Sequence, residues 1–266
     1  MNPLFPGTVA ILLYITSALV QLLSLSREIR NVTKIVNSAA CIAVICHAIT
    51  LFGDVYGTDG VNLGLFTMLS LMAVSIAALI LLNSFRRPVA NLFIVIFPFG
   101  AISVALELTL GADALRRDDL TGGILSHITL SVVAYSLLTI AALQAALLSF
   151  GDYGLRHRNL GILKQLPALQ TMEGLLFETL WAGLIFLSLS IASGFVFLED
   201  ISGPGLIHHT TITLAAWIVF SVLLWGRYQL GWRGPVASRW ALSGFVLLAI
   251  GYFGSKLVLE LILGRA

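Results

Sequence analysis

The stretch GGILSHITLSVVAYSLLTIAALQAALLSF, residues 122–150, is an almost unbroken apolar run with no charged residue and one imidazole, His127, near its start. It is longer than the ~20 residues a helix needs to cross the hydrocarbon core of a bilayer. Inside lipid the backbone must satisfy its own hydrogen bonds, so such a run is read as a membrane-spanning helix. The question it raises is what an imidazole does at its mouth.

Working outward, similar runs recur along the whole chain. Of 266 residues 58% are hydrophobic and 11% charged, with a mean hydropathy of +0.98; soluble domains carry about a quarter charged residues. The sequence predicts an all-α polytopic membrane protein with eight spans, at about residues 5–25, 35–53, 63–83, 90–110, 123–149, 175–198, 208–228 and 240–262. Short connections leave no room for a soluble domain, and residues 1–266 read as one integral membrane domain. No Lys or Arg precedes the first span, which therefore lacks the basic start of a signal peptide and reads as a retained helix. The longest connection, residues 151–174, has room for a short amphipathic helix at the interface.

Basic residues set the orientation. Arg27, Arg30, Lys34, Arg86, Arg87, Arg156, Arg158, Lys164, Arg227, Arg233 and Arg239 all fall in connections after odd-numbered spans. Connections after even-numbered spans hold only Arg116 and Arg117, beside Asp118 and Asp119, with Arg265 at the C-terminal end. The positive-inside rule then places the odd-span connections in the cytoplasm and both termini outside. The net charge of +2 follows from this topology, and no basic stripe suggests a nucleic-acid partner. A bacterial inner membrane is the expected location.

Cys41 and Cys46 are five apart in the second span, off a common helical face, and read as buried thiols. Covalent haem attachment through C-x-x-C-H would need a cysteine where Ala43 stands before His47. Serine-nucleophile, zinc-protease, P-loop and dinucleotide motifs are also missing, so no enzyme chemistry is expected. Glu173 and Glu178 read as a helix-start acid and an interfacial residue.

With the orientation applied, His47, Asp54, Glu107, Lys256 and Glu260 fall in or near the outer third, and His127 and the pair His208–His209 share that level. His157 belongs to the basic cytoplasmic connection and is expected to be solvated. Ionisable side chains are expensive in hydrocarbon and tend to face the bundle interior. The helical repeat puts His47 on a stripe with Ala40, Ala43, Thr50 and Asp54, His127 with Ser131, Tyr135 and Ala142, and His209 with Thr213, Ala216 and Trp217. Small, polar stripes of this kind are what buried membrane helix faces look like. A single histidine near a helix end is most simply a packing residue bonded to a carbonyl; three histidine-bearing helices at one depth are harder to explain so.

Neutral imidazoles suit transition metals and haem iron. Two histidines from different helices beside an apolar, aromatic cleft fit a porphyrin with one axial ligand on each face. Its propionates want a cation, which Lys256, Arg116 or Arg117 supplies. Asp54, Glu107 and Glu260 leave open a second reading, a transport or regulatory subunit for a hard divalent cation such as Mg²⁺ or Co²⁺. A membrane scaffold acting through protein contacts is a third.

The helix LSHITLSVVAYSLLTIAALQAALLSF resembles the His-x-x-x-Ser, Ala-Tyr helix of CcsA-type cytochrome c assembly proteins. SLSIASGFVF, AAWIVFSVLLWGRYQLGWRG and ALSGFVLLAIGYFGSKLV resemble the last three helices of that family, including a Gly-Trp-Arg-Gly turn at Gly231–Gly234. AVICHAI and NLGLFTMLSL in the first half are similar to its shorter HemX-like and YpjD-like branch. The resemblance implies non-covalent, b-type haem, with His127 matching the first external ligand and His208 or His209 the second. It also implies a haem-handling role as chaperone, exporter or redox carrier, with another membrane or haem-pathway protein as partner. The LEDISGPGLIHH connection has none of the tryptophans of the family's haem loop, which argues against haem transfer to apocytochrome c. Without that platform a haem is expected deeper in the bundle, with His47 and His127 as the axial pair and His208 or His209 as the competing partner.

Overall fold

A computed structural model describes residues 3–26, 31–57, 60–111, 116–117, 120–157, 166–197 and 206–257. Eight helices among them are long and apolar enough to cross a membrane. They are α1 (Leu4–Ser26), α2 (Val32–Val55), α3 (Leu65–Ser84), α4 (Phe93–Leu110), α5 (Gly122–Arg156), α6 (Leu169–Phe197), α7 (Leu206–Gln229) and α8 (Gly234–Ala249). α8 runs on through a π-helical turn, Ile250–Gly254, into Ser255–Leu257. The eight-span, all-helical class expected from the sequence is what the chain adopts.

Lipid is as apolar as leucine, so size and polarity, rather than hydrophobicity, sort the faces of these helices. On α1 the residues at Ala10, Tyr14, Ser17, Ala18 and Gln21 are buried, while Leu12, Ile15, Leu19 and Leu22 are exposed. On α2 Val36, Ala40, Ala43, His47 and Thr50 are buried, and Ile35, Ile42, Ile45 and Ile49 face out. The polar stripe read from the sequence is thus the buried one.

The chain divides into two compact units, residues 1–120 and 121–265. In the first, α1 packs on α2 and α4, and α3 on α2 and α4. Three short antiparallel strands, β1 (Tyr56–Gly57), β2 (Gly60–Asn62) and β3 (Arg116–Arg117), join its α2–α3 and α4–α5 connections. Asn62 is buried there, donating to the Gly111 carbonyl at 3.1 Å and accepting from Gly64 N–H at 2.9 Å. In the second, α5 packs on α6 and α8, and α7 on α6 and α8. Each unit is a closed ring of four helices in chain order.

α5 outruns its expected span. It begins at Gly122 behind Thr121, whose hydroxyl accepts from Ile124 N–H, and continues to Arg156 where residues after 149 were expected to be connection. An Asp152–Arg156 pair one turn apart, at 2.8 Å, supports the extra turns. His157 closes the helix, exposed as expected, its Nδ1 donating to the Tyr153 carbonyl at 3.0 Å. Of the connection expected at 151–174 to hold an interfacial helix, residues 151–156 continue α5 and 169–174 already belong to α6, while 158–165 lie outside the described residues.

Candidate functional site

The second unit gathers most of the expected site residues. His127, on the first turns of α5, points Nδ1 at the backbone carbonyl of Ser190 on α6, 2.9 Å away, with the Ser193 hydroxyl at 3.1 Å. A carbonyl oxygen only accepts, so Nδ1 carries the proton and Nε2 presents a bare lone pair. That is the tautomer a metal-bound histidine adopts, its second nitrogen held by a carbonyl or carboxylate. Ser131 donates to the His127 carbonyl at 2.8 Å, so the hydrogen between Ser131 and Ser190, 2.6 Å apart, comes from Ser190. α6 thereby fixes the imidazole through backbone and side chain together.

His209 lies in the first turn of α7, half-buried, and close enough to His127 for the two rings to interact electrostatically. Its Nε2 is buried without a hydrogen-bond partner among the described residues. An orphaned buried nitrogen costs about 1–3 kcal/mol, so each such group in a native protein calls for a specific explanation. Tyr252 stands edge-on to the His209 ring at 5.9 Å and 5.5 Å from the Tyr135 ring. Lys256 Nζ lies 6.0 Å from the Tyr252 ring centre. Tyr252 belongs to the π-helical turn, a distortion found disproportionately at functional sites. Gly251 in the same turn leaves Ile212 of α7 3.1 Å from where a Cβ would stand, so a larger side chain there would push α7 away.

His47 is in a different situation. It is fully buried in the first unit, with Nδ1 3.2 Å from the Tyr14 hydroxyl and Nε2 2.8 Å from the Ser70 hydroxyl. Ser70 in turn donates to Glu107 Oε2. Both nitrogens of this imidazole are therefore engaged. The side chains of Asp54, Arg116, Arg117 and His208, and all of Glu260, lie outside the described residues. Among the described residues no three His, Cys, Asp or Glu side chains converge as a metal site.

Sequence reasoning missed Ser190, Ser193, Tyr252, Tyr14 and Ser70. Ser190 acts through its backbone, for which no residue type is a signal. Tyr252, by contrast, is four residues from Lys256 and so one helical turn away, a spacing that links it to the expected propionate cation.

Eight long apolar helices, with imidazoles set in the interfaces between them, define a polytopic all-helical membrane protein. The description of the cytochrome c assembly protein family matches residues 9–263, and the chain belongs to that family. Inner membrane protein YpjD of Escherichia coli (strain K12) is 32% identical over 226 residues, covering 84% of this chain and 86% of that protein. An uncharacterized 28.8 kDa protein of Azospirillum brasilense is 30% identical over 141 residues, about half of each chain. Protein HemX of Brevibacillus brevis is 26% identical over 139 residues, 49% of each chain. No solved structure matches. The chain is an inner-membrane member of its family, as its sequence implied.

Proposed function

We propose that this protein binds and handles haem within the membrane, holding it non-covalently between His127 and His209. The observation that carries this reading is the pair of available imidazole nitrogens in one unit: Nε2 of His127, freed by the Ser190 carbonyl, and the orphaned Nε2 of His209. Of the partners the sequence left open for His127, namely His47, His208 and His209, they favour His209 over His47, whose nitrogens Tyr14 and Ser70 engage, while the His208 side chain lies outside the described residues. Tyr135 and Tyr252 supply aromatic surface, and Lys256 supplies the cation a propionate wants. A haem held by these two imidazoles would supply one-electron redox chemistry, or would itself be the cargo that the site holds and releases.

The test is an absorption spectrum of detergent-purified protein from haem-replete cells. A Soret band is expected in the parent, lost or strongly shifted in His127→Ala and His209→Ala and unchanged in His157→Ala. A colourless parent, or a band indifferent to His127, refutes the reading.

A further inference from the structure

Outside the haem reading, the first unit holds a continuous chain of four polar side chains, one from each of its helices. Tyr14 (α1), His47 (α2) and Ser70 (α3) are 0% exposed, and Glu107 (α4) 2%. Phe97 packs on Tyr14 at 5.4 Å and Phe93 stacks on Phe97 at 4.4 Å, closing one flank with apolar surface. We propose that Tyr14, His47, Ser70 and Glu107 form a proton-binding relay, in which Glu107 gains a proton as the His47 imidazole exchanges one tautomer for the other.

The geometry allows two states, differing by one proton, in which the four side chains stay hydrogen-bonded in series. With Glu107 ionised, the Tyr14 hydroxyl donates to Nδ1, Nε2–H donates to Ser70 Oγ, and the Ser70 hydroxyl donates to Glu107 Oε2. When the buried phenol opens transiently to water, a proton delivered to the Tyr14 oxygen shifts every hydrogen one place: the phenol's own proton passes to Nδ1, the Nε2 proton to Ser70, and the Ser70 proton to Oε2. The product has a neutral carboxyl, a neutral Nδ1–H imidazole, and intact hydroxyls. One O–H bond has been gained overall and no imidazolium persists. Phenol, imidazole and hydroxyl each both donate and accept, which a relay requires and which an arginine or lysine in the same place would not provide. Ionisable groups inside a membrane bundle are by default functional rather than structural. The proposal involves neither His127 nor His209, the iron ligands proposed above.

The experiment is a pH titration of the purified full-length protein, followed by infrared spectroscopy for protonated carboxyl and by ¹⁵N NMR of labelled histidine. On acidification a buried-carboxyl band is expected to grow, to be absent from Glu107→Gln, and to rise together with a switch of His47 from the Nε2–H to the Nδ1–H form. Ser70→Ala removes one hydroxyl from the middle of the chain; there the carboxyl still titrates but the tautomer no longer follows. A band that survives Glu107→Gln overturns the proposal. So does an imidazolium signal in place of the tautomer switch, a tautomer fixed throughout the titration, or coupling that persists in Ser70→Ala.

Discussion

Glu173 is the carboxylate on which three helices of the second unit converge beside the α7–α8 turn, and removing its charge gives a prediction with a calculable size. Its Oε1 lies 2.6 Å from Arg227 Nη1 on α7, and its Oε2 accepts from Gly234 N–H at the start of α8, 3.3 Å away. Arg227 also donates to the Trp232 carbonyl at 3.1 Å and covers the Phe177 ring at 4.5 Å. The side chains are 28% and 16% exposed. Exposed pairs contribute up to about 1 kcal/mol, whereas breaking a fully buried pair costs roughly 3–5 kcal/mol. Glu173→Gln should therefore destabilise by about 2 kcal/mol, with a few tenths more from the lost anion at the α8 N-terminus. Denaturant unfolding in detergent, read by the fluorescence of the stacked Trp232 and Trp240 rings 5.2 Å apart, measures it. A double-mutant cycle with Arg227→Met isolates the pair, and coupling below about 0.5 kcal/mol would mean the two residues act independently and refute the reasoning.

Gly226→Ala sets a Cβ 2.4 Å from the Trp232 ring; an overpacking loss of about 1–3 kcal/mol, with altered tryptophan emission, is expected in the same assay. Gly183→Ala brings a Cβ within 2.8 Å of Leu138 Cγ where α5 and α6 meet. It should cost a similar ~1–3 kcal/mol, and adding Leu138→Ala should recover part of the loss; failure to recover would disprove the close approach. Asn62→Ala deletes two buried hydrogen bonds, worth about 1–3 kcal/mol together. The loss should be local, read as faster amide exchange around Gly64 and Gly111 with little change in global unfolding.

The number and type of helices were legible because the bilayer imposes a length and an unbroken apolar composition, both plain in the sequence. The stripes were legible too: Ala40, Ala43, His47 and Thr50 are buried as their spacing implied. What pairs with what was not. Glu173 looks like an ordinary helix-start acid, and nothing near it in sequence announces Arg227, 54 positions away. The Gly-Trp-Arg-Gly turn was recognisable as a pattern, but its reason is geometric. Gly231 and Gly234 take φ of +65° and +49°, which L side chains resist, so the chain reverses tightly enough to lay Trp232 on Gly226. The grouping of helices four and four was likewise hidden, because the longest connection falls between α5 and α6, which pack together extensively.

His47 and His127 make the limit of sequence reading sharpest. Both are lone imidazoles on small, polar helical stripes, and residue type and spacing give them the same prospects. The difference lies in the atom each meets across a helix interface. His127 meets a carbonyl oxygen 63 residues away, a group with no proton to give, and the imidazole is held in one tautomer with its other nitrogen free for a metal. His47 meets two hydroxyls, each able to give or take, so both tautomers are bonded and neither nitrogen is free. A fixed donor set suits a ligand, whereas a reversible one suits a proton relay, and this difference is why the proposed iron ligand is the first histidine and the proposed relay runs through the second.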